Sequence, residues 1–162
     1  PQEMRPMMSS FIMMNNIRVA ITAFALGILG GIFTIAVLFY NGLMLGVVSA
    51  AVATRSIDVA VSFWGFVAPH GIIELPAIFI AGGAGLMLGW ALVAPGEYTR
   101  GAAVKLAGRE ALKLILGVAA MLVIAGIIEG FFSPSMAPEP LKFAVAGMLG
   151  VAELTYFFLT GR

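Results

Sequence analysis

The chain has 162 residues, of which 61% are hydrophobic and 10% charged, and its formal net charge is +1. Soluble domains carry roughly 25% charged residues, so this sequence lacks the polar coat needed to face water. The near-neutral charge argues against nucleic acid as a partner, and the absence of cysteine excludes disulfides, cysteine-based zinc sites and thiol nucleophiles. The composition therefore predicts one all-α integral membrane domain.

Residues 1–16 are rich in methionine and lack the layout of a secretory signal. Thioethers bind Cu(I), but flexible apolar side chains also suit a helix lying at the membrane surface, and we favour that interpretation. Residues 17–162 form the predicted multi-spanning domain. Because the first residue is Pro1, we expect the chain to be a fragment of a longer protein.

The first crossing is predicted over residues 18–39, since a helix needs about 20 residues to span a bilayer. It ends before Asn41 and Gly42, a pair typical of turns. Two half-length helices follow, over residues 43–54 and 59–68. We predict that they form a re-entrant hairpin, which is tolerated where protein or a water-filled cavity surrounds it. The alternative is that both halves are full crossings.

Three further crossings are predicted over residues 72–94, 114–132 and 143–160, which makes about four full transmembrane helices beside the hairpin. An amphipathic segment at 97–113 holds four of the nine Lys and Arg residues, so the positive-inside rule places it in the cytoplasm. Counting crossings from there puts His70 outside and both ends of the chain inside. The proline-rich stretch at 133–140 is predicted to be an outer loop.

Several strings resemble the stage II sporulation protein M family of prokaryotic membrane proteins. They are Asn15-Asn16-Ile17-Arg18, Phe24-Ala25-Leu26-Gly27-Ile28, Tyr40-Asn41-Gly42, Pro69-His70-Gly71-Ile72-Ile73-Glu74 and Ala81-Gly82-Gly83-Ala84-Gly85-Leu86. The resemblance implies a multi-spanning domain in the cytoplasmic membrane, often preceded by a cytosolic helical segment. It also implies work with membrane-anchored peptidoglycan hydrolases, as for the family's named member in sporulating bacteria.

His70 and Glu74 are the best candidates for a functional site. Residues four apart share one face of a helix, and an ionisable residue within the bilayer is a functional hypothesis by default. Glu129 joins them if its helix is adjacent. The alternative is structural, with Glu74 satisfying free backbone groups. A zinc-protease helix needs two histidines and this chain has one, so we expect no metal site and no cofactor.

Three other charged residues fall within or between the apolar segments. Arg55 and Asp58 lie three apart at the hairpin tip and are expected to pair. Glu153 lies near the middle of the last crossing, where a carboxylate needs a partner. Arg55, Tyr156 and a neighbouring protomer are its candidate partners.

Small residues recur at four-residue spacing, which lets helix backbones approach closely in lipid. The glycines in these faces are Gly27 and Gly31, Gly42 and Gly46, and Gly85 and Gly89. Internal helix packing is the simpler interpretation, and a homo-oligomer interface is the alternative.

Two functions follow from these observations. The first is a membrane scaffold that recruits partners in cell-envelope or peptidoglycan remodelling, which rests on the resemblance. The second is a channel or transporter for a small solute or ion, which rests on the hairpin and the outer polar residues. No catalytic constellation is recognisable, so we predict that the protein is not an enzyme.

Overall fold

The computed structural model describes the backbone of residues 5–160 and the side chains of residues 10–160. Met4 and Arg162, which belong to the predicted surface segment and the predicted cytoplasmic end, lie outside the described residues. The five α-helices are α1 (Arg5–Ala25), α2 (Ile32–Ala53), α3 (Ile57–Val93), α4 (Arg100–Ile127) and α5 (Glu139–Thr160). Five stretches are long and apolar enough to cross a membrane, which confirms the predicted all-α membrane class.

The boundary between α1 and α2 lies at Gly30 and Gly31. A 3-10 turn (Leu26–Leu29) follows α1, and the two glycines then adopt φ angles of 79° and 82°. Side chains with a Cβ rarely adopt this left-handed conformation, so a glycine pair ends the helix here. The predicted crossing over residues 18–39 is therefore wrong, because the chain reverses direction in its middle. α1 runs without interruption through residues 16 and 17.

The predicted break at Asn41 and Gly42 does not exist, since both residues lie inside α2. The Asn41 side-chain amide donates a hydrogen bond to the carbonyl of Val37, one turn earlier, at 2.8 Å. This bond satisfies the side-chain amide within the helix, so Asn41 and Gly42 continue the helix and form no turn. The half-helix predicted over residues 43–54 is the second half of α2.

The other predicted half-helix, over residues 59–68, is the beginning of α3. This helix has 37 residues, which corresponds to a length of about 55 Å. Ser56 caps it, because the Ser56 hydroxyl accepts a hydrogen bond from the Val59 amide at 3.2 Å. Pro69 and Pro76 lie inside it and do not end it. The re-entrant pair of half-helices is thus incorrect, and a turn between two continuous helices takes its place.

The helix ends predicted further along the chain agree well with the structure. α3 ends at Val93, before Pro95 and Gly96, and α5 ends at Thr160. Most of the predicted amphipathic segment at 97–113 is the first half of α4, which Thr99 caps by accepting a hydrogen bond from Ala102. α4 continues as a π-helical turn (Ile128–Phe132), and the following residues form the predicted loop before α5.

The helices alternate in direction, and α3 packs against all four others. α1 runs parallel to α3, since Asn16 meets Glu74 and Gly27 meets Gly85. α4 runs antiparallel to α3, since His70 lies beside Ser133. The first and last described residues therefore lie at opposite ends of the bundle. The expectation that both chain ends share one side depended on the hairpin, which the structure does not contain.

Small residues hold the end of α1 and the 3-10 turn after it close to α3. A Cβ atom added to Gly27 would collide with the backbone of Gly85, and one added to Gly89 would collide with that of Gly31. These four glycines therefore serve internal helix packing, as the simpler interpretation predicts. Gly42 and Gly46 have the same spacing on α2, yet a Cβ atom at either would meet nothing within 4 Å.

Candidate functional site

The structure brings His70, Glu74 and Glu129 together between α3 and the end of α4. Their relative exposures are 1%, 3% and 0%. One nitrogen or oxygen from each side chain belongs to a group of atoms that all lie within 4.8 Å of one another. The three residues therefore form one buried cluster, which we call the polar site.

α3 supplies two of the three side chains of the polar site. His70 and Glu74 are one helical turn apart, so both project from the same face of the helix. Ile73, Ala77 and Ile78 are also buried on this side of α3. The two ionisable groups thus occupy positions that the sequence pattern of a packed helix otherwise gives to apolar residues.

The π-helical turn supplies Glu129. The Ser133 amide donates to the carbonyl of Ile128 at 2.9 Å, five residues back, which is the wider spacing of a π-turn. Such turns change the direction of side chains relative to the preceding α-helix and are frequent at functional sites. Here both Glu129 and Ser133 are fully buried. The change in helix geometry therefore coincides with the residues that α4 contributes.

Ser133 contacts the histidine of the polar site. The distance between His70 Nδ1 and Ser133 Oγ is 3.0 Å. The ring of Phe66 meets the imidazole edge to face, with a centroid distance of 5.8 Å and an interplanar angle of 78°. The hydroxyl fixes one ring nitrogen and the aromatic ring limits rotation, so the imidazole is held in one orientation.

α1 contributes Asn16, whose side-chain amide donates a hydrogen bond to a carboxylate oxygen of Glu74. The sequence indicated Asn16 only as part of the family resemblance, and Ser133 only as part of a loop. Ser133 follows Glu129 by four residues, which was a usable signal of proximity. No comparable signal linked Asn16 to Glu74, because only the packing of α1 on α3 brings them together.

Two prolines flank the α3 part of the site. A proline inside a helix has no amide hydrogen to donate, so Pro69 and Pro76 leave the carbonyls of Gly65 and Ile72 without their usual helical partners. In transmembrane helices, neighbouring groups compensate for such gaps, and the helix continues. The same positions are where a helix bends most easily.

An apolar cavity of about 600 Å³ lies beside the polar site, between α1 and α4. Met13 and Ile17 line it from α1, and Leu122 and Gly126 from α4. None of the side chains of the polar site is among its lining residues. The polar groups therefore face the contact between helices and not this space.

The turn between α2 and α3 lacks the ion pair that the sequence predicts. Arg55 and Asp58 are exposed there, and they form no ion pair with each other. Among residues 10–160, whose side chains the structure describes, the ion pairs shown join Lys113 to Glu110 at 2.8 Å and Lys142 to Glu139 at 3.9 Å. Asp58 lies in the first turn of α3, where the helix dipole already favours a negative charge.

Glu153 and the start of α5 hold the remaining polar groups of interest. Among the described residues, no hydrogen-bond partner reaches the buried Oε1 of Glu153, so neither Arg55 nor Tyr156 serves as one. Lys142 is buried near Glu139, whose carboxylate lies against Gly65 of α3. Sequence reasoning missed this second polar contact, because both residues fall beside a loop rich in proline.

The donor atoms of the polar site suit the binding of a cation. Two carboxylates and an imidazole offer oxygen and nitrogen lone pairs, and all three side chains are removed from water. Negative charge in such surroundings requires a compensating partner. Within the described residues, no Lys or Arg forms an ion pair with Glu74.

Comparison with known proteins gives one family. The family model described as Stage II sporulation protein M matches residues 1–134 of the chain. No curated protein and no solved structure matches it. The matched region contains every residue of the polar site, together with Asn16 and Ser133.

Proposed function

The chain belongs to the stage II sporulation protein M family, and from that premise we propose that it binds a small cation at the polar site and carries it across the membrane. The observation that supports this proposal most is the burial of His70, Glu74 and Glu129 within one cluster. Ionisable side chains at membrane depth are costly and commonly mark ion pathways.

A membrane protein that only recruits partners has no need of such a cluster. Each buried polar group destabilises the folded protein unless it is paired. Hydrophobic side chains of similar volume would fill the same space at no such cost. The polar site therefore supports a role in which a charged solute meets these groups.

Movement of α3 and α4 is part of the proposal, because the polar site is closed to solvent in the described conformation. Pro69 and Pro76 border the site in α3, and the π-helical turn borders it in α4. These are the positions at which the two helices bend with the least loss of hydrogen bonds. Alternating access in many transporters likewise uses interrupted helices around a central site.

An orientation in the membrane follows from the charges of α4. The first half of α4 exposes basic residues at Arg100, Lys105, Arg109 and Lys113. We propose that this end is cytoplasmic and that the protein lies in the prokaryotic cytoplasmic membrane. If all five helices cross, residue 5 is outside and residue 160 is inside. The polar site then lies toward the outer half of the bilayer.

Flux measurements in liposomes test the proposal. Purified protein should carry protons or metal ions down a gradient, and Glu74→Gln should lower the rate by about tenfold or more if it loses at least 1.4 kcal/mol of binding. Glu110→Gln is the matched control, because Glu110 is exposed on α4 and forms an ion pair with Lys113, away from the polar site. Equal rates in liposomes with and without the protein would refute the transport role.

A scaffold in cell-envelope or peptidoglycan remodelling is the second candidate, and membership of the family favours it. In this role the membrane domain recruits or localises other proteins and performs no reaction itself. Cell-wall hydrolases should then co-purify with the protein from native membranes, and should do so equally with Glu74→Gln. Failure to recover any such partner would refute the scaffold role.

A further inference from the structure

We propose that His70, Glu74 and Glu129 form a binding site for a divalent transition-metal ion of the zinc class. The inference deepens the proposed function, since the metal ion is then the cation that the protein handles. It rests on three observations: the convergence of the three side chains, their charges, and the contacts of Asn16 and Ser133 behind them.

The charges of the site match a divalent ion. Glu74 and Glu129 bring two carboxylates into one buried cluster, and like charges in such surroundings repel strongly. A metal-binding imidazole is neutral, so a divalent cation with two carboxylates and His70 makes a site with no net charge. A monovalent cation would balance only one of the two carboxylates.

The distances leave room for one ion. Zinc binds nitrogen and oxygen at about 2.0–2.2 Å, so ligand atoms around a tetrahedral ion are roughly 3.4 Å apart. In the structure the three donor atoms lie within 4.8 Å of one another. Small side-chain rotations close this difference. The three groups come from two different helices, so the metal would also join α3 to α4.

The donor set favours a transition metal over Mg²⁺ or Ca²⁺. Imidazole suits zinc, copper, iron and nickel, whereas magnesium and calcium prefer oxygen ligands alone. His70 is the single histidine of the chain, and it lies in this site. Three protein ligands also leave a fourth position open, as in zinc sites that exchange a ligand.

Contacts behind the ligands support a metal site. Metal-binding histidines usually donate their second ring N–H to an oxygen, and ligating carboxylates are themselves hydrogen-bonded. Ser133 Oγ lies 3.0 Å from His70 Nδ1, which leaves Nε2 as the nitrogen for the metal. Asn16 donates to Glu74 in the corresponding way. Both contacts are made by residues outside the ligand set.

The sequence predicted no metal because a zinc-protease helix carries two histidines. The site described here differs, since α3 supplies one histidine and one glutamate as ligands, and the π-helical turn supplies a second glutamate. It has no second histidine and no separate general base, so a hydrolytic role does not follow. Reversible binding of an ion is the chemistry that these ligands supply.

Equilibrium binding of Zn²⁺ to the purified, metal-free protein in lipid nanodiscs tests the inference. The wild type should bind one ion per chain, and His70→Gln, Glu74→Gln and Glu129→Gln should each weaken binding by about 100-fold or more. Asn16→Ala should weaken it by about tenfold, because Asn16 only orients Glu74. Glu110→Gln should bind as the wild type does.

Metal selectivity of the wild type tests the inference even if the variants fail to fold. Zn²⁺ and Co²⁺ should bind in the presence of a large excess of Mg²⁺, and Co²⁺ should show the visible absorption of a four-coordinate ion. Absence of Zn²⁺ binding by the wild type would overturn the inference. Binding that Glu110→Gln weakens as much as Glu74→Gln would overturn it as well.

Measurements of Zn²⁺ binding and of cation flux separate the metal site from the proposed transport. Zn²⁺ binding without flux of any cation would refute transport and leave the metal site standing. Proton flux that depends on Glu74, without Zn²⁺ binding by the wild type, would refute the metal site and leave transport standing.

Discussion

The contact between α1 and α3 differs in chemistry at its two ends. At one end, Gly27, Gly85 and Gly89 bring the two backbones together without any intervening side chain. At the other end, Asn16 reaches Glu74 through a hydrogen bond at the edge of the polar site. The glycine end fixes the distance between the helices, and this distance in turn allows a short polar side chain to reach the buried carboxylate.

Among substitutions at this contact, we expect the largest loss of stability at the glycine end. In Gly85→Leu, the new Cβ atom would lie 2.7 Å from the carbonyl oxygens of Ala23 and Phe24. Backbone atoms cannot move aside as a flexible side chain can, so we expect a loss of about 3 kcal/mol or more in the free energy of unfolding. Thermal unfolding in detergent, followed by size-exclusion chromatography, measures it.

Gly46→Leu is the matched control on α2, where a Cβ atom meets nothing within 4 Å. It should unfold at nearly the wild-type temperature. Equal destabilisation by the two substitutions would contradict the close packing of α1 on α3. Destabilisation by Gly46→Leu alone would indicate instead that α2 makes the tighter contact.

A smaller effect is expected at the polar end. Asn16→Leu removes the donor to Glu74, and a hydrogen bond to a charged group contributes about 1.5–3 kcal/mol. We therefore expect a loss of about 2 kcal/mol in the free energy of unfolding. A double-mutant cycle with Glu74→Leu, which has no acceptor, isolates this contact. A coupling energy of zero would show that the two side chains do not interact.

The smallest effect is expected from Thr34, which lies near the glycine end. Its buried hydroxyl donates to the carbonyl of Ala23 at 2.6 Å. Thr34→Val keeps the shape and removes the bond, so the free energy of unfolding should fall by about 1 kcal/mol. Urea or SDS titration measures the change. A loss larger than that of Gly85→Leu would mean that hydrogen bonding, and not close approach, holds this end together.

The class of the fold could be predicted from the sequence, but the helix boundaries only in part. The sequence predicts the end of α3 correctly, because Pro95 and Gly96 together end a helix by local geometry. It predicts a break at Asn41 and Gly42 that the structure lacks, because the Asn41 side chain bonds to its own helix. It does not predict the break at Gly30 and Gly31, since the four-residue spacing of Gly27 and Gly31 indicates helix packing instead.

The sequence predicts only those contacts of the polar site that join residues one helical turn apart. His70 and Glu74 share a face of one helix, whereas Glu129 joins them only because α4 returns antiparallel along α3. The small-residue faces show the same limit. Gly85 and Gly46 each have another glycine four positions away, and the structure packs only the first against another helix. Spacing predicts that a face is suited to close contact, but not which helix meets it.

X-ray absorption spectroscopy of the zinc-loaded protein shows whether His70, Glu74 and Glu129 bind one ion, because it reports the atoms around that ion. We expect a first shell of nitrogen and oxygen at about 2.0–2.2 Å with the scattering of a single imidazole. In His70→Gln the imidazole signal should disappear. A shell of oxygen atoms alone in the wild type would contradict the claim that His70, Glu74 and Glu129 form one cation site.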